Sequence, residues 1–473
     1  MTLLVISSVG CENVEYIEKS QSPEESVNIY DKLESELPNL NDGTSAVEEQ
    51  TFKIVTDKKA VFLDDESNAA AINKAITDRN AFLRSKYGAS LDVHEVASTN
   101  VSGELKAAIE SGLEYCDMLA ISGRETVKLY TAGLLGDMNQ LPNFDLNTNI
   151  FNQKHAKELA TYNTLYMLAD TTALVYEEAY VYFYNRDLVT GVGGIDPEAL
   201  VAQGKWTWDA FNEAAKASAA AVYDKTSADL NNDIFGFGSY YLEGTYPLVM
   251  WSSSGEKLIS NTYKNPVGLS MEMNEITTIA EALMTSYNSR GKFLSDGNTA
   301  ESAFKNGRIA FFCNKFAYFY ALRDGTTKGD NFGMLPIPKY SEEQDGYSCL
   351  LSSDARVFSI PKTVESYDQD RKNFVSAVIQ ATVASGNNTI PKAFKNHHIG
   401  FYLNNNSESV VLGEIIDGVT FDFANVYGSG ISSIRLATTA AIVDYLDIGS
   451  GLVNSINYAK ANFESYCNEK FNR

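Results

Sequence analysis

Residues able to do covalent chemistry are few and scattered along the chain. There are four histidines, His94, His155, His397 and His398, and five cysteines, Cys11, Cys116, Cys313, Cys349 and Cys467. No two cysteines form a CxxC pair, which removes zinc-ribbon and thioredoxin-type chemistry. The sequence holds no GxSxG elbow, HExxH helix, Walker loop or GxGxxG turn behind a strand, so the familiar nucleophile, zinc and phosphate devices are missing. His397 and His398 are neighbours and cannot both face one metal from a helix or a strand; they read as solvated loop histidines. Glu177 and Glu178 sit side by side, but among 61 acidic residues one such pair does not indicate glycosidase chemistry. Asp229-Leu230-Asn231-Asn232-Asp233 copies the first five positions of a calcium loop. Ile234 then stands where the turn needs Gly, and Tyr240 where the closing Glu should be, so a polar turn is expected. No catalytic residue, metal site or cofactor is expected.

What the chain has in excess is aromatic surface: 11% Phe, Trp and Tyr, with 27 tyrosines. Sugars present C–H faces that stack on rings and hydroxyls that need polar partners, so a carbohydrate cleft combines both. Most rings in any protein are nevertheless core, because they dominate burial. Trp206 and Trp208 flank a helix start and read as structural. The formal net charge of -23 excludes nucleic acid as a partner, since phosphate binding needs clustered Lys and Arg. No stretch reaches the roughly 18 apolar residues of a spanning helix.

These residues need a scaffold, and 473 of them exceed one compact core, so two folding units are expected. Phe52–Val55 reads as a strand, Ile72–Leu83 as a helix stopped at Gly88, and Leu91–Val96 as a second strand. Ser102 is placed to cap the next helix, and Asp117–Ile121 is a short apolar strand ending at Ser122-Gly123. This β-α-β-α-β order predicts a parallel sheet covered on both faces. Ligands of such sheets sit beyond the carboxyl ends of the strands, where Ser122, Arg124 and Glu125 lie. Downstream, Ala179–Tyr184 reads as an aromatic strand, and Trp208–Val222 as a helix capped by Thr207. Ala300–Lys305 reads as a helix, Ile309–Cys313 as a strand, and Phe332–Pro338 and Cys349–Ser353 as extended connectors. Cys116 and Cys313, in strand-like runs, read as buried free thiols.

The first 50 residues differ in kind. Leu3-Leu4-Val5-Ile6 is apolar, Ser7-Ser8-Val9-Gly10 is small, and Cys11 follows, which resembles the end of a bacterial lipoprotein signal with Cys11 as the lipidated residue. Residues 12–50 carry eleven Asp or Glu against two Lys, a composition expected to form a disordered acidic tether.

Several segments, taken in order, resemble the family 1 extracellular solute-binding proteins, the group that includes maltose-binding proteins. Cys116-Asp117-Met118-Leu119 through Gly133-Leu134-Leu135 is similar to their first-lobe strand, ligand loop and "GLL" helix end. Glu178-Ala179-Tyr180 through Tyr184-Asn185-Arg186-Asp187 resembles their crossover strand ending in "YNKD". Lys205-Trp206-Thr207-Trp208-Asp209 resembles the "TW-[DE]" helix start, and Phe304–Ala310 the "F-x-x-G-x-A" segment. The resemblance implies an α/β fold of the periplasmic-binding-protein type II, two lobes joined by a hinge around a ligand cleft. It places lobe 1 at 51–177 and 350–400 and lobe 2 at 178–349 and 401–473, with crossings near 176–180, 345–350 and 395–405. It implies a sugar-binding, non-enzymatic receptor of an ABC importer. Such a receptor works as a monomer, is lipid-anchored on the outer face of the cytoplasmic membrane, and delivers its ligand to membrane permease subunits. The ligand residues it implies are Ser122, Arg124, Glu125 and Glu178, with ring stacking from Tyr246, Trp251, Phe316 or Tyr318, and Tyr427. Arg124 stands where maltose binders carry an acid, which keeps open an acidic or other non-sugar solute. A polysaccharide-processing enzyme and a sensor subunit that hands its closed state to a signalling partner are the remaining alternatives.

Overall fold

Alternation along the central strand explains the first lobe. In the computed structural model, Met118 and Ala120 of β3 (Met118–Ser122) enter one apolar cluster while Leu119 and Ile121 enter another. A strand buried on both faces needs helices on both, and these are present. α2 (Ala70–Tyr87) and the long α10 (Gln369–Phe401) pack together, while α3 (Ser98–Glu110) and α4 (Gly123–Thr131) supply the second cluster. The structure describes residues 29–40, 48–219, 233–239, 246–257, 259–260, 267–268, 278, 297–324, 331–401 and 406–428.

β1 (Gln50–Thr56) lies parallel between β2 (Ala89–Glu95) and β3, with Phe52 opposite Leu91 and Val55 opposite Leu119. β12 (Arg356–Pro361) returns antiparallel beside β3, pairing Arg356 with Ser122, and β4 (Leu135–Gly136) closes the order β2-β1-β3-β12-β4. Gly88 ends α2 as expected: its φ of 67° is the left-handed conformation Gly adopts at no cost, and its N–H bonds the carbonyl of Arg84.

The second sheet has the order β10-β5-β9-β6. β5 (Tyr180–Asn185) runs antiparallel to β9 (Ile309–Lys315) and β10 (Phe332–Leu335), and β6 (Phe235–Ser239) runs parallel to β9. Its cover comes from α5 (Pro197–Ala202), α6 (Trp208–Ser218), α7 (Tyr246–Ser253), α8 (Gly297–Lys305) and α9 (Tyr318–Asp324). A small antiparallel pair, β7 (Ile259–Ser260) and β8 (Val267–Gly268), lies apart. Thr207 caps α6, its Oγ1 accepting from the N–H of Ala210. Trp206 and Trp208 are buried, their indole N–H groups donating to Pro336 O and Ser253 Oγ at 3.0 Å each. Cys116, Cys313 and Cys349 are buried, and Cys116 and Cys349 are free thiols.

The chain passes between sheets after β4 and again between β10 and β12. These crossings meet at the Ala179–Leu351 bridge, and β11 (Cys349–Leu350) pairs in parallel with β13 (Val419–Thr420). α11 (Asn406–Gly418) packs on α5 and β10 in the second lobe.

Five sequence-based readings change. Residues 12–50 are not all tether: α1 (Ile29–Glu36) is helical, because Leu33 and Leu37 share a face one turn apart and bury it, with Tyr30 against Phe82 at 5.0 Å. Ser102 lies inside α3, which starts one turn earlier to bury Val101 beside Leu105. Phe332–Leu335 is a sheet strand, not a connector. His397 and His398 lie on α10, and His398 is buried, its ring packed on Phe394 at 4.2 Å. Residues 401–473 do not all serve the second lobe. α12 (Phe423–Tyr427) packs on α4 of the first, and Tyr427 donates its hydroxyl to Leu159 O while its ring meets Tyr130. Residues 1–28, and with them Cys11, lie outside the described residues, as do residues 229–232 of the calcium-like turn.

Candidate functional site

Parallel strands end together, so β1 and β3 deliver their next residues to one edge. Asp57 follows β1 and reaches across β3 to Arg356 on β12, an ion pair completed by Ser98 Oγ, which donates to Asp57 at 2.7 Å. Ser122 ends β3, its Oγ 3.5 Å from Asp354, and Arg124 on the first turn of α4 meets the same carboxylate at 2.8 Å. The backbone fixes this contact. Gly123 and Arg124 donate their N–H groups to Ala355 O and Ser353 O, which ties the start of α4 to the second crossing.

The crossings bring the remaining charges. Glu178 accepts from Lys315 at the end of β9 at 3.0 Å and from Ser352 Oγ, so one carboxylate joins both crossings to the second lobe. Glu177 accepts from Lys58 at 3.3 Å. Four acids and four bases therefore form four pairs: Asp57–Arg356, Asp354–Arg124, Glu177–Lys58 and Glu178–Lys315. The edge carries many donors and acceptors, and each of these four acids has one of the four bases beside it. Such a surface offers spare carboxylate lone pairs and amine protons to hydroxyl groups without presenting a net charge.

Beside it lies a cavity of about 280 Å³ lined by Lys58, Asn68, Ile72, Glu177, Tyr320 and His397 among others. Tyr320 and His398 hydroxyl and imidazole meet at 3.1 Å. Burial holds the His398 imidazole down to about 4, against the bond its ring makes with the Phe394 carbonyl.

A second polar centre sits beside β13, where the chain runs from α11 in the second lobe to α12 against the first. The Glu158 side chain is 7% exposed and accepts four hydrogen bonds. Lys257 and Thr420 Oγ1 donate to its Oε1, and His155 Nδ1 and the Phe421 N–H donate to its Oε2 at 2.9 and 3.0 Å. Burial alone would raise this carboxyl, but the His155 hydrogen bond and the Lys257 ammonium more than offset it and leave its pKa lowered.

The sequence-predicted residues fall into two groups. Ser122, Arg124 and Glu178 converge on the strand-end edge. Glu125 lies beside them but is 7% exposed and bound to Lys128 at 2.8 Å. The five rings lie elsewhere: Tyr246, Trp251, Phe316, Tyr318 and Tyr427 are each at most 8% exposed. Tyr246 bonds Tyr182 through its hydroxyl and packs on Phe237; Phe316 packs on Phe394 and His398. Tyr318 packs between Phe183 and Phe312, and Tyr427 stacks on Phe423. In this conformation they are core residues, because the helices and strands carrying them turn those faces inward. Sequence reasoning missed Asp57, Lys58, Lys315, Ser352, Asp354 and Arg356. Asp57-Lys58 had a readable signal, a polar pair directly after a strand of the parallel sheet.

Residues 79–369 match the bacterial extracellular solute-binding protein family. A search of curated proteins by sequence finds no significant match. Among solved structures, the chain is similar to the sugar-binding protein MalE of the phytopathogen Xanthomonas citri, with a TM-score of 0.57, 12% identity, and coverage of 88% of this chain and 98% of that one. It is also similar to a cyclic alpha-maltosyl-1,6-maltose binding protein of Arthrobacter globiformis, with a TM-score of 0.56, 11% identity and coverage of 88% and 100%. A maltose-binding periplasmic protein of Listeria monocytogenes, solved with maltose, gives 0.55, 11%, and 88% and 98%. At these identities the likeness shows the fold, two α/β lobes of the periplasmic-binding-protein type.

Proposed function

The chain belongs to the bacterial extracellular solute-binding protein family, and from that premise we propose that it captures an uncharged sugar on the strand-end edge between its lobes. The observation that carries this reading is the one-to-one pairing of the four acids and four bases there. A charged ligand would have to compete with a partner already in place, most costly at the Asp57–Arg356 pair, whose side chains are under 20% exposed. A polyol needs only hydrogen bonds. Arg124, which left an acidic solute open, is paired with Asp354. An enzyme acting on glycosidic bonds needs two carboxylates facing each other across one gap. Glu177 and Glu178 are instead held in separate ion pairs. The protein is accordingly a receptor that returns its sugar unchanged and, acting as a monomer, hands it to the permease of an ABC importer.

The test is a thermal-shift panel of neutral sugars and their uronic acids. A neutral sugar should raise the melting temperature increasingly with concentration, as ligand linkage requires. Stabilisation by uronic acids alone would give the site to acidic solutes.

Cys11 supplies the membrane attachment in this reading, since it follows a small-residue stretch and precedes an acidic segment. The wild type is expected in the membrane fraction and Cys11→Ala in the soluble one. Wild-type protein found only in the cytosol would sink the anchor.

A further inference from the structure

Arg79 of α2 is a charged residue outside the strand-end edge. It is 1% exposed, and among the described residues it meets no carboxylate. A buried cation without a counter-charge is costly, so its hydrogen bonds are what keep it there. They converge on one turn. Nη1 donates to Val61 O at 3.2 Å and Nη2 to Phe62 O at 3.1 Å, and the guanidinium lies 5.4 Å from the centre of the Phe62 ring. Nε donates to Asn80 Oδ1, whose amide donates in turn to the same Phe62 O at 2.7 Å. Asn68, just ahead of α2, donates to Ala60 O at 2.6 Å. Three successive carbonyls are thus held by side chains in or beside α2. This 3-10 turn, Lys59–Val61, directly continues Asp57 and Lys58, which supply two of the four pairs at the edge. We infer that Arg79 is a positioning residue that links the docking of α1 to the cleft, so that undocking α1 loosens the 57–62 turn and weakens ligand capture. The last step rests on the sugar reading above.

The other end of the link is α1. It packs on α10, its Tyr30 ring meets Phe82 of α2, and Tyr87 at the end of α2 donates its hydroxyl to Pro38 O at 2.7 Å. Lys86 adds hydrogen bonds to the Glu34 carbonyl and carboxylate at 2.9 and 3.1 Å. Tyr30 and Arg79 act on each other. Burial and then the Asp78 carboxylate push the Tyr30 phenol up to about 12, and the Arg79 guanidinium opposes them. Burial brings Arg79 down to about 10, against the pull of the Tyr30 phenol. One buried charge therefore meets α1 on one side and the cleft turn on the other. Opening α1 admits water to the guanidinium, which then no longer depends on the Val61 and Phe62 carbonyls for its hydrogen bonds. The planar fork spans two adjacent carbonyls; a lysine ammonium keeps the charge without the fork. Coupling of this kind is reciprocal, so a ligand that orders the turn also steadies α1.

Amide hydrogen exchange of the ligand-free full chain tests this in the peptide 57–63, where the N–H groups of Val61, Phe62 and Leu63 are bonded within the turn. Leu33→Asp puts a charge on the buried face of α1, and Arg79→Lys removes the fork. Each should speed exchange of that peptide at least about tenfold while β5 and β9 of the second sheet exchange as in the wild type. If Leu33→Asp unsettles the second sheet as well, Tyr87→Phe takes its place. It removes only the hydroxyl bond to Pro38, and the expected rise is at least about threefold. Maltose, cellobiose and lactose are then titrated, and the one that the wild type binds best should bind each variant at least about fivefold more weakly. Wild-type exchange of 57–63 in Arg79→Lys or in the α1 variant overturns the link. Faster exchange in both sheets of Arg79→Lys overturns the positioning role, and faster exchange of 57–63 with unchanged affinity overturns the effect on capture. If the wild type binds none of the three sugars, the sugar reading fails, and exchange still decides whether α1 and the turn are linked.

Discussion

Glu158→Gln is expected to cost about 3–5 kcal/mol of stability, the range for removing one partner of a buried charge network. The size follows from the count of donors. All four groups around Glu158 donate, two to each oxygen, and only a carboxylate accepts on both sides. A glutamine amide turns its NH2 toward two of those donors whichever way it is flipped, and it leaves Lys257 without its counter-charge. Urea unfolding should show the midpoint falling in the variant. The pH dependence has a fixed sign. Because the folded pKa of Glu158 is lowered, its contribution is complete above the ordinary glutamate value of 4.5 and is lost as pH falls through the lower folded value. The gap between wild type and variant should therefore close in acid. An equal gap at neutral and acidic pH would show that the network does not act through charge. The same centre ties the first-lobe segment of His155 and Glu158 to Lys257 of the second lobe and to Thr420 in β13, between α11 and α12. Damage there is expected to loosen the hinge as well as the fold.

Trp251→Ala is the second large effect. The sequence places this ring at the ligand, where truncation would spare the apo protein. The structure puts it on α7 at 2% exposure within the main core, so truncation leaves a cavity and should cost about 3–5 kcal/mol. Its indole N–H has no hydrogen-bond partner among the described residues. Trp251→Phe, which removes that orphan donor and keeps most of the volume, should cost much less. Melting the apo proteins separates the outcomes: a large fall for Ala and a small one for Phe is expected. An unchanged apo melting temperature in Trp251→Ala, with the ligand-induced shift abolished, would return the ring to the cleft.

These two residues mark the border between what local pattern reveals and what it hides. β1, α2, β2 and β3 were legible because β3 is a short apolar run, β1 is rich in aromatic and β-branched residues, β2 alternates, and α2 repeats its apolar residues at helical spacing before a Gly stop. Ser122 and Arg124 were legible from the end of β3, and Glu178 from the resemblance to a crossover strand. Their partners were not. Asp57 and Arg356 are 299 residues apart and meet only because β12 inserts between β3 and β4, an order that no local spacing encodes. The family resemblance places Trp251 at the ligand, yet it lies in a helix apolar on most sides. Whether such a ring faces core or cleft depends on packing partners supplied by β11 and other distant segments. The acidic composition of residues 12–50 likewise hid α1, whose Leu33 and Leu37 suffice to dock it.

The central claim is that a charge-matched edge between two lobes binds an uncharged sugar. Titration calorimetry of the full chain tests it most directly, using the strongest neutral sugar of the panel and the same sugar oxidised to its uronic acid. The pairing of Arg124, Arg356, Lys58 and Lys315 with four carboxylates predicts saturable one-to-one binding of the neutral sugar. It predicts affinity at least about tenfold weaker for the acid, a difference of about 1.4 kcal/mol. Equal or tighter binding of the uronic acid would contradict it.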